Sequence, residues 1–337
     1  MIFSDILVLL GDPRLPDRSK PGGQYTDDDF DQVKRLKQAL SELTERNFAY
    51  VDDHRDLYAT LRDADPDFIL NFCDTGLGND ARRELHVPAM LEMLNLPYSG
   101  SGPVALGLCY DKALVRAVGN AHGVPVPDEA FLRPEDGLPE FSYPAFIKPN
   151  RGDGSVGITE AAVVADAESA NERIQALRRE LPGCDILLQE FLSGTEYGLG
   201  LIGNPSFGFT ALPMLEVDYS KLDPKLPRLL SYGSKVDPES PYWTDIGFRA
   251  AALDDSVRQQ ARDWCISLYD RLQLRDYARF DFRADRDGQL KLMEVNPNPA
   301  WCWDGKLAHM GRLAGLSHSG VLRLIIEAAE QRISAVT

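Results

Sequence analysis

The sequence predicts an α/β protein whose first domain contains a parallel sheet and whose remainder forms two smaller α+β lobes. In the first part of the chain, short apolar strands alternate with amphipathic helices, which is typical of a parallel sheet covered on both faces. The later segments are richer in strands and turns. A chain of 337 residues is long enough for about two or three domains, and we place them at residues 1–115, 116–195 and 196–337.

Composition excludes several classes of protein. The 36 Lys and Arg residues against 52 Asp and Glu residues give a net charge of −16, which argues against nucleic-acid binding. Five widely spaced cysteines without a CxxC pair indicate reduced thiols. No apolar run approaches the ~18 residues of a membrane span, and the first one, ILVLL, is too short for a signal peptide. We therefore expect a cytoplasmic protein that binds neither nucleic acid nor a membrane.

The elements of the first domain follow from hydrophobic periodicity. Residues 5–10 and 67–72 read as buried strands, and apolar residues at helical spacing predict a helix over 28–46. Because ligands bind at the carboxyl ends of parallel strands, the loops after Leu10 and Phe72 are candidate binding loops. A further helix is expected to run through Asp111 and Lys112.

The rest of the chain alternates strands, turns and three longer helices. We expect strands over 144–150, 186–191 and 196–202, and a short strand in ITEAAVV, residues 158–164. Helices are expected over 167–181, around 257–272 and over 318–333, where apolar residues recur at helical spacing.

The most informative segment, YARFDFRADRDGQLKLMEVNPNP, spans residues 277–299. Asp287-Gly288 lies between two alternating apolar runs and predicts a hairpin with a two-residue turn. In that register Arg286 pairs with Gln289, and Asp281 lies directly opposite Glu294. Strand alternation then separates the polar side chains from the apolar ones. The polar face carries Arg279, Asp281, Glu294 and Asn296, and the other face carries Phe280, Phe282, Met293 and Val295.

Two opposed carboxylates repel, because facing Cβ atoms are only about 4.5–5.5 Å apart. One interpretation is a divalent cation between them with Asn296 as a third oxygen ligand, a set that suits Mg²⁺ or Mn²⁺. The alternative is a solvated face on which Arg279 neutralises Asp281. The proline-rich segment 294–299 favours the metal site, because it holds Asn296 in place.

A glycine-rich segment follows Lys148, which ends an apolar strand. Its spacing matches GxGxxG, but the expected strand 158–164 follows it, whereas the dinucleotide fingerprint requires a helix. A glycine turn between two strands, next to a strand lysine, is typical of a flap over a triphosphate. The alternative is an ordinary glycine hairpin with Lys148 exposed.

Three weaker signals are open to both functional and structural interpretations. The segment QEFLSGTEYG, residues 189–198, joins two strands by a short linker. It can present backbone groups to an adenine edge and a carboxylate to ribose hydroxyls, or it is an inter-strand turn with a surface glutamate. Lys112 and Lys235, taken singly, look like surface lysines.

Taken in order, these segments resemble the ATP-grasp superfamily and, within it, the D-alanine–D-alanine ligases and their relatives. The resemblance is carried by LNLPYSGSGPVALGLCYDK, FIKPNRGDGSVGI, LLQEFLSGTEYGLGLIG, and YARFDF with LMEVNPNP. It implies an ATP-grasp fold with a Rossmann-like N-terminal domain. It also implies ATP between the central and C-terminal domains, and a homodimer formed through the first domain.

The resemblance further implies roles for the matching positions. Arg279 would stabilise the transferring phosphoryl group and the oxyanion, with Lys235 of the mobile loop and Ser155 as further catalytic residues. The Mg²⁺ (or Mn²⁺) ligands would be Asp281, Glu294 and Asn296. Glu196 would bind the ribose of ATP. The other expected ATP contacts are Lys112, Lys148, Gly152, Gly154, Ser155, Gly157, Glu190, Phe191, Leu192, Lys235 and Met293.

The sequence departs from the family pattern where the amino acids should bind. The family's His-Gly-x-x-Gly-Glu-Asp-Gly box is replaced by FCDTGLGNDARRE, residues 72–84, and the first of two loop serines by Gly154. The segment PAWCWDGKLA, residues 299–308, replaces Pro-Gly-Met-Thr. The residues expected to give the substrate pocket a different shape and charge are Trp301, Trp303, Asp304, Lys306 and Val236, the last of which replaces a tyrosine.

The sequence therefore predicts an ATP-dependent carboxylate–amine ligase. It would join two small amino-acid-like substrates by an amide bond through an acylphosphate. One alternative is a true D-alanine–D-alanine ligase of cell-wall synthesis with unusual pocket residues. A second is a nucleotide-binding regulatory module that keeps the fold without catalysis.

Overall fold

The computed structural model describes residues 3–152, 154–237 and 239–335, without the side chains of Lys235 and Val236. Its strands form three separate sheets. The first sheet is parallel, with the strand order β2-β1-β3, as predicted. Its strands are β1 (Asp5–Leu9), β2 (Asn47–Val51) and β3 (Phe68–Asn71).

Five helices accompany this first sheet in the chain: α1 (Asp27–Ser41), α2 (Leu57–Asp63), α3 (His86–Met93), α4 (Pro103–Cys109) and α5 (Lys112–Ala121). Helix α1 ends at Ser41 and not at residue 46, because the chain must turn before residues 47–51, which form the edge strand β2. The sequence analysis did not predict this strand. The helix expected to run through Asp111 is two helices. Asp111 caps the second, since its carboxylate accepts a hydrogen bond from Leu114 N at 3.1 Å.

The second sheet is antiparallel, with the strand order β4-β7-β5-β6. Helix α6 (Ala167–Glu180) buries Ile174 and Leu177 against it. The strand expected over 158–164 is reduced to two residues, because residues 160–162 form a 3₁₀ turn. The strands are β4 (Glu129–Leu132), β5 (Ala145–Pro149), β6 (Val163–Val164) and β7 (Ile186–Glu190).

The third sheet has the strand order β11-β10-β8-β12-β13, and β9 pairs with β8 as well. Its central strands, β8 and β12, carry the candidate site. The strands are β8 (Glu196–Asn204), β9 (Gly208–Ala211), β10 (Leu215–Asp218), β11 (Gly247–Ala250), β12 (Tyr277–Ala284) and β13 (Leu290–Asn296). The helices of this part are α7 (Gly233–Val236), α8 (Pro241–Thr244), α9 (Asp255–Arg271), α10 (Lys306–Leu313) and α11 (His318–Ser334).

The C-terminal helix α11 packs back onto the first sheet. Ile325 and Ile326 share one buried cluster with Ile6 and Phe68. Near the end of the helix, the buried Glu330 accepts hydrogen bonds from Phe3 N and from both terminal nitrogens of Arg46. This packing brings the loops after β1 and β3 close to the segment that follows β13. The boundaries at residues 115 and 195 remain a prediction.

Candidate active site

The hairpin β12–β13 places Asp281 directly opposite Glu294 and Arg279 opposite Asn296. Its turn differs from the prediction. Asp285 N donates to Gln289 O, so the loop has three residues, and Gly288 has a φ of 84°. Arg286 therefore does not pair with Gln289. Near the turn the pairing is shifted by one residue from the predicted register. A bulge between Asp281 and Phe282 restores the predicted register, and Met293 pairs with no residue of β12.

One side of this hairpin is strongly charged, and we call it the charged face. It consists of Arg279, Asp281, Arg283, Lys291, Glu294 and Asn296. The opposite side is apolar, and Phe280, Phe282 and Val295 are buried there as predicted. Met293 is only partly buried, because the bulge removes it from the apolar alternation.

Asp281 is the centre of the charged face. Arg279 donates to both of its oxygens at 2.9 Å, Asn296 Nδ2 to Oδ2 at 3.4 Å, and Lys306 Nζ lies 3.5 Å from Oδ2. Burial alone would lower the pKa of Arg279, but Asp281 raises it. The alternative in which Arg279 neutralises Asp281 agrees with this pairing, but Asp281 is buried and not solvated, and its carboxylate is held in one position.

Glu294 faces three cations. Lys112 Nζ lies 3.8 Å from Glu294 Oε2, and Lys112 also donates to Gly152 O at 2.5 Å. Burial alone would raise the pKa of Glu294, and Asp281 adds to that, but Lys112, Lys148 and Arg279 together lower it. Glu294 is therefore a carboxylate at neutral pH.

Lys148 is buried on β5, with 3% of its surface exposed. Its ammonium lies 5.9 Å from the Phe146 ring centre and forms no hydrogen bond or ion pair within the described part of the chain. Burial and the positive charges of Arg116 and Lys112 lower the pKa of Lys148 to about 7, although Glu294 acts in the opposite sense. A buried lysine without an anion is a site for one.

The glycine loop has the left-handed backbone that its glycines allow. Gly152, Gly154 and Gly157 have φ values of 133°, 65° and 75°, and Ser155 also has a positive φ of 61°. A Cβ at Gly154 would lie 3.5 Å from Ser19 Cβ, so the loop reaches the loop after β1. Residue 153 lies outside the described residues.

Leu192 in the linker 190–195 presents a backbone donor. The N–H groups of Glu190 and Phe191 donate to Asp128 O and Pro144 O. Leu192 N donates to no acceptor within the described residues, so it alone of the three can bind an adenine edge through its N–H. Phe191 lies between Phe146, at 6.5 Å, and the Arg283 guanidinium, at 5.3 Å.

Two buried polar residues beside this linker were missed by the sequence analysis. Gln189, with 1% of its surface exposed, donates from Nε2 to Glu129 at 2.7 Å, but its buried Oε1 has no partner among the described residues. Arg116, equally buried, donates to Glu129 and to the Met293 carbonyl, while its Nη2 has no partner in the same part of the chain. The signal available in the sequence was a single glutamine at the end of an apolar strand.

Glu196, the expected ribose ligand, begins β8 opposite Arg283. Its carboxylate accepts hydrogen bonds from Lys306 Nζ at 3.1 Å and from Tyr219 OH at 3.4 Å. Lys306, expected in the substrate pocket, therefore lies between the expected ribose and metal ligands.

The oxygen donors on the charged face fit a divalent cation. Asp281, Glu294 and Asn296 supply two opposed carboxylates and one amide oxygen, which are hard ligands that Mg²⁺ accepts together with phosphate oxygens. Within the described residues, no group of three or more His, Cys, Asp or Glu side chains could hold a metal ion. These protein ligands alone would hold a cation weakly, and a ligand's phosphates would strengthen its binding.

The four expected substrate residues whose side chains the structure describes do not form one wall. Trp301 Nε1 donates to Phe72 O at 2.9 Å, at the end of β3. Trp303 stacks with Arg35, 4.5 Å away, and Asp304 accepts from Gln32 at 3.1 Å, so both face α1. Lys306 lies on the charged face, and the side chain of Val236, like that of Lys235, lies outside the described part.

The loops after β1 and β3 hold an acidic cluster next to Trp301. Burial, with a contribution from Asp17, raises the pKa of Asp74 to about 6, although Lys20 and Trp301 oppose the rise. Asp17 is 3% exposed, and its buried Oδ2 has no partner in the described chain. The sequence analysis marked these loops but did not single out either acid.

A buried lysine, a glycine flap and opposed carboxylates between two antiparallel sheets define the ATP-grasp class of ligases. Solved structures have the same fold over nearly the whole chain. The Bacillus anthracis D-alanine–D-alanine ligase complexed with ATP has a TM-score of 0.74 at 17% identity and covers 99% of this chain and 100% of its own. The VanG D-Ala:D-Ser ligase of Enterococcus faecalis has a TM-score of 0.69 at 16% identity, covering 97% and 99%.

Sequence relatives identify the family. The family described as D-ala D-ala ligase C-terminus matches residues 130–327, and the chain belongs to it. The D-alanine–D-alanine ligase of Oleidesulfovibrio alaskensis is 28% identical over 244 residues, 72% of this chain and 73% of its own. The Sinorhizobium fredii protein named "Uncharacterized protein y4sG" is 30% identical over 252 residues, 74% and 71%.

This membership confirms the predicted class, an ATP-dependent ligase that forms C–N bonds between small molecules. The predicted fold class is likewise confirmed. Among the described helices, none has both the length and the apolar character that a bilayer crossing requires.

Proposed function

We propose that this ligase joins two amino-acid-like substrates with the charged face as its phosphoryl-transfer site and Mg²⁺ or Mn²⁺ as its metal. The observation that carries the proposal is the opposition of Asp281 and Glu294 beside the buried Lys148, which has no anionic partner among the described residues. A carboxylate pair next to buried cations suits a metal-bound triphosphate, because each charge then acquires a partner.

The nucleotide would lie between the second and third sheets. Leu192 N and Gln189 Oε1 offer one donor and one acceptor to a purine edge, and Glu196 offers a carboxylate to the ribose. Lys112, Lys148 and the glycine loop would bind the phosphates, as would Lys235 from its short helix. Asp281, Glu294 and Asn296 would hold the metal, which supplies charge neutralisation for the phosphoryl group.

The chemistry has two steps. One oxygen of the substrate carboxylate attacks the γ-phosphorus of ATP, so that an acylphosphate forms and ADP leaves. The amine nitrogen of the second substrate then attacks the acyl carbon, phosphate leaves, and the nitrogen loses a proton. Arg279 would stabilise the negative charge that develops in both steps, and Ser155 in the glycine loop would help to cover the acylphosphate from water.

The substrates would bind where the loops after β1 and β3 meet Trp301. Asp17 and Asp74 make this region acidic, and Tyr25 lies near both acids. Trp303 and Asp304 would fix the segment before α10 to α1. Val236 stays an expected substrate residue from the sequence, since its side chain lies outside the described residues. This lining differs from the family pattern, so we propose substrates other than two D-alanines.

The test is phosphate release from ATP, measured against a panel of L- and D-amino acids offered singly and in pairs. Turnover with one pair, and identification of its amide product by mass spectrometry, would support the proposal. Strict dependence on D-alanine would instead select the D-alanine–D-alanine ligase alternative. A nucleotide-binding module without catalysis would bind ATP and release no phosphate with any pair.

We also propose a cytoplasmic homodimer that binds neither nucleic acid nor a membrane. The first domain leaves large apolar side chains exposed, among them Phe30 at 52% and Tyr58 at 47%, which is consistent with a partner surface. Light scattering of the purified protein would give the oligomeric state, and a monomer would contradict this part.

A further inference from the structure

Lys306 joins two carboxylates that belong to different halves of the nucleotide site. It is the first residue of α10, and its Nζ lies 3.1 Å from Glu196 Oε1 and 3.5 Å from Asp281 Oδ2. All three side chains are largely buried, with exposed fractions of 14%, 15% and 6%. Glu196 is the expected ribose ligand and Asp281 the expected metal ligand. The ammonium group of Lys306 therefore contacts both of these expected ligands.

The strand pairing leaves a space that Lys306 crosses. Asp281 lies opposite Gly198, and Glu196 precedes Gly198 by two residues on the same face of the sheet. A Cβ at Gly198 would lie 3.4 Å from Asp281 Oδ1 and 2.8 Å from Met310 Cε. The glycine therefore opens the gap between the two carboxylates, and α10 delivers the lysine into it.

Asp281 pairs with two cations. Arg279 already binds both of its oxygens at 2.9 Å, and Lys306 adds a second cation on Oδ2. A divalent ion that approaches Asp281 must displace or tolerate both cations, and charge repulsion makes tolerating them unfavourable at a buried position. Arg279 is held bidentately, so Lys306 is the cation that can leave.

The helix does not hold Lys306 in place. A positive charge at a helix N-terminus is repelled by the helix dipole, and the N-cap residue of α10, Gly305, supplies no side-chain cap. The lysine stem is flexible, and its position follows from the two carboxylates together. When one of these carboxylates binds another partner, Lys306 keeps only one ion pair and is held less tightly.

We propose that Lys306 couples nucleotide binding to metal binding. In the free protein its ammonium bridges Glu196 and Asp281. A ribose that takes over Glu196 loosens Lys306 from Asp281 and so opens Asp281 to the metal, and the metal in turn opens Glu196 to the ribose. This coupling rests on the proposed function, because it assigns the ribose to Glu196 and the metal to Asp281. By linkage, each ligand strengthens the binding of the other by the same factor.

The test measures Mn²⁺ binding by electron paramagnetic resonance of free Mn²⁺, with and without saturating adenosine. Adenosine carries the ribose hydroxyls but no phosphate that could bind the metal itself. In the wild type we expect adenosine to increase Mn²⁺ affinity about fivefold or more. In Lys306→Met, Mn²⁺ should bind more tightly than in the wild type without adenosine, and adenosine should change its affinity less than about twofold.

The control is Arg249→Met. Arg249 on β11 likewise contacts two carboxylates, those of Glu216 and Asp218, and strands β10 and β8 separate β11 from β12, which carries Asp281. Its removal should leave the effect of adenosine on Mn²⁺ affinity as in the wild type. Circular dichroism of each variant checks that it is folded.

Two results would overturn the coupling while leaving the proposed function intact. One is an Mn²⁺ affinity in the wild type that adenosine does not change. The other is weaker Mn²⁺ binding in Lys306→Met than in the wild type, which would make Lys306 a support for the metal and not its competitor. If Asp281→Asn retains wild-type Mn²⁺ affinity, or if adenosine does not bind, both the coupling and the proposed function are wrong.

Discussion

Asp281 and Glu294 lie directly opposite each other on the charged face, although the hairpin that joins them is one residue out of register near its turn. The three-residue loop shifts the pairing by one residue, and the bulge at Met293 shifts it back. The Met293 carbonyl accepts a hydrogen bond from the buried Arg116 at 2.8 Å. Helix α5 thereby stabilises the irregularity that brings the two carboxylates together.

Glu294→Gln should abolish ATP-dependent ligation while leaving the fold intact. The change removes one negative charge from the proposed metal site but keeps the shape of the side chain, and the ion pair that it removes, with Lys112, is long at 3.8 Å. We expect kcat to fall a hundredfold or more and Tm to change by less than about 3 °C. Phosphate release and a thermal melt measure the two effects, and retained turnover would remove the metal assignment.

The sequence predicted the acid pair correctly for a partly wrong reason. Alternation and the Asp-Gly signal located the hairpin, but they do not distinguish a two-residue from a three-residue loop, because Gly288 suits both. The bulge depends on a tertiary contact with Arg116 and has no local signal. The wrong loop length and the missed bulge cancel each other at Asp281 and Glu294, which pair as predicted. The positions of Arg286 and Met293 differ from the prediction.

The positions that sequence reasoning missed are those that depend on contacts between distant segments. Gln189 looks like one polar residue in an apolar strand, and its unpartnered oxygen appears only when β4 and β7 are paired. Lys306 was assigned to the substrate pocket because its segment replaces the family's Pro-Gly-Met-Thr tract, and its contacts with Glu196 and Asp281 appear only in the folded chain. Strands β2 and β4 were missed because edge strands are half-exposed and weakly periodic.

Lys148 should take up a proton when ATP binds at pH 8. Its pKa of about 7 leaves it mostly neutral there in the free protein, and the phosphates of ATP would raise its pKa by supplying the anion that it lacks. Affinity for ATP should consequently fall as the pH rises above 7. Calorimetric titrations in buffers of different ionisation enthalpy should give an uptake close to one proton. Lys148→Met should bind ATP more weakly and without this uptake, and equal uptake in both proteins would contradict the prediction.

Asp74→Asn should stabilise the protein at pH 8 more than at pH 5. Burial raises the pKa of Asp74 from 3.8 to about 6, so its charged form is disfavoured in the folded state. The free-energy cost of burying the charged carboxylate is absent below the pKa of Asp74 in the unfolded chain and complete above its pKa in the folded protein. Stability therefore falls as the pH rises from the first of these pKa values to the second. We expect a gain of roughly 1–3 kcal/mol in the free energy of unfolding at pH 8, measured by urea denaturation.

The exposed Asp65, in the same domain, provides the control for this comparison. Asp65→Asn should change the free energy of unfolding little, and by the same amount at both values of pH. A gain in Asp74→Asn that does not depend on pH would show that the carboxylate carries no burial cost.

Gly11→Ala should impair the amino-acid half of the site and spare the nucleotide half. Gly11 follows β1, and a Cβ on it would lie 2.4 Å from both Thr75 Oγ1 and Tyr25 OH. Both side chains would have to move, and they lie beside the acids of the loops that we propose for the substrates. We expect KM for the amino-acid substrates to rise about tenfold, equivalent to about 1.4 kcal/mol of binding free energy, while the Kd for ATP stays unchanged. Gly137→Ala, where a Cβ would meet nothing within 4 Å, should alter neither constant. If Gly11→Ala weakens ATP and amino acids equally, the loops after β1 and β3 do not form a separate substrate region.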